Sequence, residues 1–202
     1  MSIVGGTHGA VHRRRVRVLA TYFAGLLPPA ARVLDVGCGD GLLARRVMEL
    51  RPDVQISGID VLVRPQAAIP VKSFDGTRIP AEDGDYDVTM LVDVLHHAND
   101  PKALLREAAR ATRQCILIKD HTRNGFLAGP TLRFMDDIGN ARFGVDLPHN
   151  YWTREQWKLA FHELQLNIEE WRPRLGLYPV WADWLFGRSL HFVARLSGPR
   201  DH

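Results

Sequence analysis

The chain has 202 residues, 46% of them hydrophobic, enough for one sizeable core, so a single domain over residues 1–202 is expected. The formal net charge is +3 and the charged fraction 24%, a balance that gives no electrostatic footprint for nucleic acid. Cys38 and Cys115 supply neither a disulfide framework nor a metal-ligand spacing, so reduced thiols, no bound metal and a cytoplasmic location are expected.

No apolar run approaches the roughly 18 residues needed to span a bilayer. The stretch "HRRRVRVLATYFAGLLPPAARV" has the basic start and short apolar core of a secretory signal, but Arg17 interrupts it. Val16, Leu19, Ala20, Phe23, Leu26 and Leu27 instead fall on one helical face, which predicts an amphipathic helix over 10–29 halted by Pro28-Pro29. "ARVLDVG" then reads as a buried strand and "DGLLARRVMELRP" as a helix ending before Pro52. "VQISGIDV" is a second strand, "PQAAI" a short helical piece, and "VKSFDG" a third strand. "YDVTMLVDVLHH" is a fourth strand running into a turn. "DPKALLREAARATR" is a helix with Asp100 as N-cap and Pro101 at its first position. "QCILIKD" is a fifth strand. This alternation predicts an open, mostly parallel sheet with helices on both faces.

The pattern breaks at residues 121–150, too long for an ordinary connection and therefore expected to be a lid or acceptor-recognition insertion. "TREQWKLAFHELQL" resumes as a helix capped by Thr153. Two late strands, near "NIEEWRP" and "LHFVARL", are expected to finish the sheet in antiparallel fashion.

The chemistry begins in "LDVGCGDG", residues 34–41. A lysine-bearing phosphate loop is excluded, because the Gly-Lys-Ser/Thr ending is absent. A dinucleotide loop needs a third glycine where Leu42 stands; the spacing here is Gly37, Gly39, Gly41. Asp35 and Asp40 flank the turn and would repel a pyrophosphate, whereas phosphate sites use helix N-termini and neutral backbone. Two carboxylates suit a ligand carrying an ammonium and a sulfonium, as S-adenosylmethionine does. The next strand ends in Asp60, nineteen residues after Gly41, where an acid can accept hydrogen bonds from ribose hydroxyls. The third strand ends in Asp75, placed to accept from an adenine amino group.

Taken together, "VLDVGCGDG", "GIDV", "FDGTRIP", "DGDYDVTMLVDVLHH" and "DPKALLREAARAT" resemble the successive motifs of class I S-adenosylmethionine-dependent methyltransferases of the small-molecule, type 11 branch. The resemblance covers roughly residues 30–120. It implies a Rossmann-like three-layer αβα sandwich whose seven-stranded sheet has an antiparallel last strand. It also implies that Asp35 and the Gly37–Gly41 backbone, Cys38 and Gly39 included, hold the methionine part of the cofactor. Asp60 with Val61 would hold the ribose, and Asp75 with Gly76 the adenine. Val92, Asp93 and His96 would lie under the sulfonium and methyl, and the product would be S-adenosylhomocysteine. The chain departs from the family in having "ATRQC" before the fifth strand instead of a Leu-Lys-Pro-Gly-Gly turn. It also lacks the Asn-Pro-Pro-aromatic signature of nucleobase amino methylation.

Methyl transfer needs a general base only if the acceptor is a protonated hydroxyl, thiol or acidic carbon. His96, His97, His121 and His149 are the candidate bases, with Tyr151 and Asp120 weaker ones. The apolar residues Phe126, Leu127, Leu132, Phe134, Met135, Ile138 and Phe143, interleaved with polar ones, suit a pocket for a small acceptor of apolar or aromatic character. Tyr178, Trp181, Trp184, Leu185 and Phe186 form an aromatic cluster read as core before surface. Peripheral membrane contact and nucleic-acid binding are not expected, and the oligomeric state is left open. The rival classes are a non-catalytic S-adenosylmethionine-binding module and a membrane-surface methyltransferase with a lipid-like or quinone-like acceptor. An NAD-dependent oxidoreductase and an RNA or protein methyltransferase are weaker rivals.

Overall fold

The elements follow the sequence order closely. In this computed structural model, which describes residues 3–124, 128–133, 148, 150–178 and 190–198, they are α1 (Ile3–Leu26), β1 (Arg32–Val36), α2 (Leu42–Leu50), β2 (Gln55–Asp60), β3 (Val71–Ser73), β4 (Tyr86–Val92), a 3-10 turn (Leu95–His97), α3 (Pro101–Ala111) and β5 (Thr112–His121). Then come α4 (128–133), α5 (Arg154–Glu163), β6 (Asn167–Arg172) and β7 (His191–Ser197). The seven strands form one sheet in the order β3-β2-β1-β4-β5-β7-β6. β7 alone runs antiparallel, pairing with β5 and β6 on its two sides. The expected Rossmann-like sandwich with one antiparallel final strand is the fold observed.

Each helix is placed by the apolar stripe it must bury. On one face of the sheet, Leu19, Ala20 and Phe23 of α1 and Ala44 and Val47 of α2 pack on Val33, Ile56, Met90 and Leu117. On the other, Leu104, Leu105 and Ala108 of α3 and Trp157 and Phe161 of α5 pack on Leu34, Leu91, Ile118 and Phe192. Two helix starts form as their sequences dictate. Asp100 Oδ1 accepts from the Ala103 amide with Pro101 in the first turn, and Thr153 forms a capping box with Gln156.

Three local expectations are corrected. α1 begins at Ile3 and ends at Leu26, not over 10–29. "PQAAI" is not helical, because tertiary partners claim its backbone: the Ala68 amide donates to the Asp40 carbonyl at 2.8 Å, and Ile69 packs beside Gly41. "VKSFDG" stays in the sheet only over Val71–Ser73; beyond it, Asp75 closes its own turn by accepting from the Thr77 and Arg78 amides. Among the described residues no helix is long and apolar enough to cross a membrane.

The strand order reverses between β1 and β4, and open α/β sheets bind ligands in the crevice outside the strand C-termini at such a switch point. α1 closes one side of this edge, so its packing bears on the site. Phe23→Ala, which empties a fully buried position in α1, is expected to cost about 3–5 kcal/mol in urea unfolding. A loss below about 1 kcal/mol would show that α1 is only loosely docked.

Candidate functional site

The turn after β1 is built on glycine geometry. Gly37, Gly39 and Gly41 have φ of 68°, 59° and 71°. A Cβ at Gly37 would also lie 2.5 Å from Val94 Cγ2, so the loop after β1 touches the loop after β4 at the switch point. Asp60, at the end of β2, ties this turn down: its Oδ2 accepts from the Gly39 amide at 2.7 Å and its Oδ1 from the Leu62 amide at 2.9 Å. An ionised carboxylate has about four acceptor positions, so both oxygens keep capacity for further donors.

Asp35 lies close by in β1 and is only 2% exposed. Burial, with the charge of Asp60 second, pushes its pKa up to about 8, so it is protonated at neutral pH until a cation is brought to it. Cys38 turns its sulfur under the loop against Gly58, where a Cβ would meet the sulfur at 2.3 Å. Burial pushes that thiol up to about 12, so the Cys38 side chain is a packing group. Asp75 is exposed and spends one oxygen on its own turn. Gly76 brings that turn beside Val61, which is 62% exposed and offers an apolar surface next to Asp60. Val92 is half-buried against the core.

The second half of the site lies at the ends of β4 and β5. Asp93 follows β4 with φ of 58°, and its amide donates to the Lys119 carbonyl at 2.8 Å. Its carboxylate takes the Lys119 ammonium on one oxygen and Arg15 of α1 on the other, the latter at 2.9 Å. Burial works to raise the Asp93 pKa, but Lys119 and Arg15 hold it well below the usual carboxylate range. Lys119 is fully buried and lies 3.3 Å from His191 Nδ1. Neither Lys119 nor Arg15 stood out in the sequence as part of a site. The available signal was a lysine inside the buried run "CILIKDH", since a buried charge needs a partner.

Beyond this pair sits a histidine and carboxylate set. His96 Nδ1 is 2.6 Å from Asp120 Oδ1, with both side chains buried. Asp120 also accepts from the His121 amide at 2.7 Å and the Leu95 amide at 3.1 Å. Burial works to raise the Asp120 pKa, but His96 and His121 keep it ionised far below neutrality. A carboxylate on Nδ1 fixes the tautomer in which Nε2 of His96 is the basic nitrogen. His121 is pushed down to about 4 by burial and the Lys119 charge, so it is neutral at pH 7. Tyr151 stacks on His96 with ring centroids 5.6 Å apart and meets His121 edge-on at 6.0 Å. His97 is half-buried beside His96, at 3.9 Å between centroids. The structure therefore gathers His96, His97, His121, Asp120 and Tyr151 in one place. His149 lies outside the described residues, as do Phe126, Leu127, Phe134, Met135, Ile138, Phe143, Trp181, Trp184, Leu185 and Phe186. Leu132 and Tyr178 are described, and both are buried.

Asp93, His96, Asp120 and His121 bring ligand-type atoms within 4.8 Å of one another. Carboxylates and imidazoles are suited to a divalent ion. Here, however, Lys119 and Arg15 already balance Asp93, and His96 is already held by Asp120. The set is built as an internal ion-pair and hydrogen-bond network.

With this geometry in view, the likenesses to known proteins are informative. Residues 10–170 match a family model described as a methyltransferase domain. The chain is 31% identical over 110 residues to 27-O-demethylrifamycin SV methyltransferase of Amycolatopsis mediterranei, covering 47% of this chain and 40% of that protein. It is 29% identical over 93 residues to a ubiquinone biosynthesis O-methyltransferase of Sodalis glossinidius, covering 40% of this chain and 36% of that protein. The chain thus spans well under half the length of these curated relatives. A solved complex of the Haloferax volcanii Trm112 methyltransferase activator contains a chain of the same fold, with TM-score 0.72, 14% identity and coverage of 96% and 95%.

Asp35 carries a pH signature of its own. Its folded pKa of about 8 lies above its ordinary 3.8, so it favours folding most below pH 4, and that contribution falls as pH rises toward 8. Asp35→Asn lacks this fall. The stability of the variant relative to the parent, from urea unfolding, is expected to grow steadily between pH 4 and 8; a constant difference would contradict the buried, protonated carboxyl.

Proposed function

Since the chain belongs to the methyltransferase-domain family, we propose that it transfers a methyl group from S-adenosylmethionine to a hydroxyl of a small organic acceptor. The observation that carries this reading is the Gly39–Asp60 contact, which joins the glycine turn and the second acidic strand end into one groove above buried Asp35. The donor set fits a cationic nucleoside. Asp35 faces the turn as an acid that a cation would ionise, Asp60 retains acceptor capacity for ribose hydroxyls, and Val61 beside Gly76 offers a wall for a flat ring. When bound, the sulfonium supplies an activated methyl for in-line displacement.

The work of the protein is alignment, exclusion of water and proton removal. The His96–Asp120 dyad supports a hydroxyl acceptor, because an acceptor without an acidic proton would need no base. Asp120 orients the ring through Nδ1 and would stabilise the imidazolium formed when the ring takes the proton, a division of labour known from other carboxylate and histidine pairs. His121, its pKa pushed down to about 4 by burial, is too weak a base for this step, and packs against Tyr151. Lys119 and Arg15 hold Asp93 ionised and neutralise it, which fixes the end of β4 beside the groove. The names of the two curated relatives, both O-methyltransferases of small molecules or methyltransferases at an oxygen, favour the same acceptor class. The region between His121 and Tyr151 is where acceptor recognition is assigned.

Isothermal calorimetry with S-adenosylmethionine and S-adenosylhomocysteine tests the donor. Binding of both is expected, and Asp60→Ala should weaken it by about 1–3 kcal/mol, the scale of lost hydrogen bonds to a charged group. Binding of NAD with no response to either adenosyl ligand would overturn the reading. Incubation of metabolite extracts with methyl-labelled donor tests the transfer. On the acceptor so found, His96→Asn is expected to lower kcat about 10²–10⁴-fold with cofactor affinity retained. Full activity in that variant would remove His96 as the base.

A further inference from the structure

The basic stretch "HRRRVR" of α1 is used in two directions. Arg15 points to the sheet edge and pairs with Asp93. His12, Arg13, Arg14 and Arg17 line a groove of about 600 Å³, whose opposite wall is Leu42, Arg45, Arg46 and Glu49 of α2. Five arginines and a histidine thus face a single carboxylate. Glu49 is already engaged, by Arg46 at 2.6 Å and Arg45 at 3.5 Å. Arg14 donates to the Gly176 carbonyl at 3.2 Å. Arg13 and Arg17 have no ion pair among the described residues. They stand four residues apart on one helix, where like charges repel. Nothing within the described fold offsets that repulsion.

We propose that this groove is a binding site for a phosphate-bearing organic anion, distinct from the methyl-transfer groove. Guanidinium forks match phosphate oxygens in pairs, and arginine is favoured over lysine where such bidentate recognition is needed; every basic group on both walls except His12 is an arginine. The volume lies within the ~300–1,000 Å³ usual for small-molecule sites, which leaves room for an organic body beside the phosphate. Val16 and exposed Leu42 supply apolar surface for that body. The placement also links the two sites, because Leu42 directly follows the Gly37–Gly41 turn and opens α2. The same chemistry is offered by a soluble phosphorylated metabolite and by a phospholipid headgroup.

Full-chain protein separates these sources. Inorganic pyrophosphate is titrated by calorimetry at low salt, and cosedimentation is measured with phosphatidylcholine vesicles with and without phosphatidylglycerol. Pyrophosphate is expected to bind, with at least tenfold weaker affinity in Arg13→Gln/Arg17→Gln and a smaller loss in Arg45→Gln on the opposite wall. Arg113→Gln/Lys158→Gln, which removes the same charge elsewhere on the surface, is expected to bind as the parent does. Cosedimentation only with the anionic vesicles, reversed by pyrophosphate, would support the groove with a headgroup as its source. Pyrophosphate binding without cosedimentation would support it with a soluble ligand. No binding of either probe, or an equal loss in the Arg113/Lys158 control, would overturn the site. S-adenosylmethionine affinity, unchanged in Arg13→Gln/Arg17→Gln, distinguishes failure of this site from failure of the donor assignment.

Discussion

Asp93 is the residue around which the sheet edge is organised. Its carboxylate is held between the buried ammonium of Lys119 on β5 and the guanidinium of Arg15 on α1. Removing any one of these from water without the others would be costly, since an unpaired buried charge forfeits its hydration. The ion set therefore fixes three things together: the left-handed turn after β4, the register of β4 on β5, and the seating of α1 over the edge. Arg15 and Asp93 are still 30% and 25% exposed at their side chains, so part of the set is open to solvent at the sheet edge.

The strand order converts this local constraint into a site. Because β1 and β4 are neighbours whose connections leave toward opposite faces, the loops after them part and then meet again at Gly37 and Val94. Asp60 bridges from β2 to the same turn. Three carboxylates of different character result. Asp35 is buried and protonated, Asp60 is occupied by amides yet open to further donors, and Asp93 is fully ionised. In the proposed reading Asp60 and an ionisable Asp35 meet the cationic cofactor, and the proposed phosphate-binding groove lies apart from them, on the outer face of α1 and α2.

The His96–Asp120 pair depends on the same edge. Asp120 points to the opposite side of β5 from Lys119, as successive residues of a strand must, so one strand end serves both the ion set and the His96 contact. Residues 150–152 then close over it: the Asn150 amide donates to the His96 carbonyl at 2.9 Å, and the Arg123 amide to the Trp152 carbonyl at 2.9 Å. Trp157 of α5 anchors this closure through its indole N–H, which donates to the His121 carbonyl.

Local and periodic features were legible in the sequence. Glycine spacing, the acids at strand ends, the caps at Asp100 and Thr153 and the apolar face of α1 each depend on residues near one another in the chain. For that reason they were readable without a fold. "PQAAI" was misread because its helix-like composition lost to backbone contacts with the glycine turn, and "FDG" because Asp75 turned its carboxylate back on its own chain. Tertiary structure alone decided which charges meet. Arg15 and Asp93 are 78 residues apart, His96 and Asp120 24 apart, and Lys119 and His191 72 apart. Sequence spacing carries no record of those distances. The sequence by itself determined a glycine turn flanked by acids at successive strand ends. Only the folded sheet decided that His96, among the histidines, is the one held by Asp120, and divided the arginines of α1 between Asp93 and the outer face, because burial and pairing act through space.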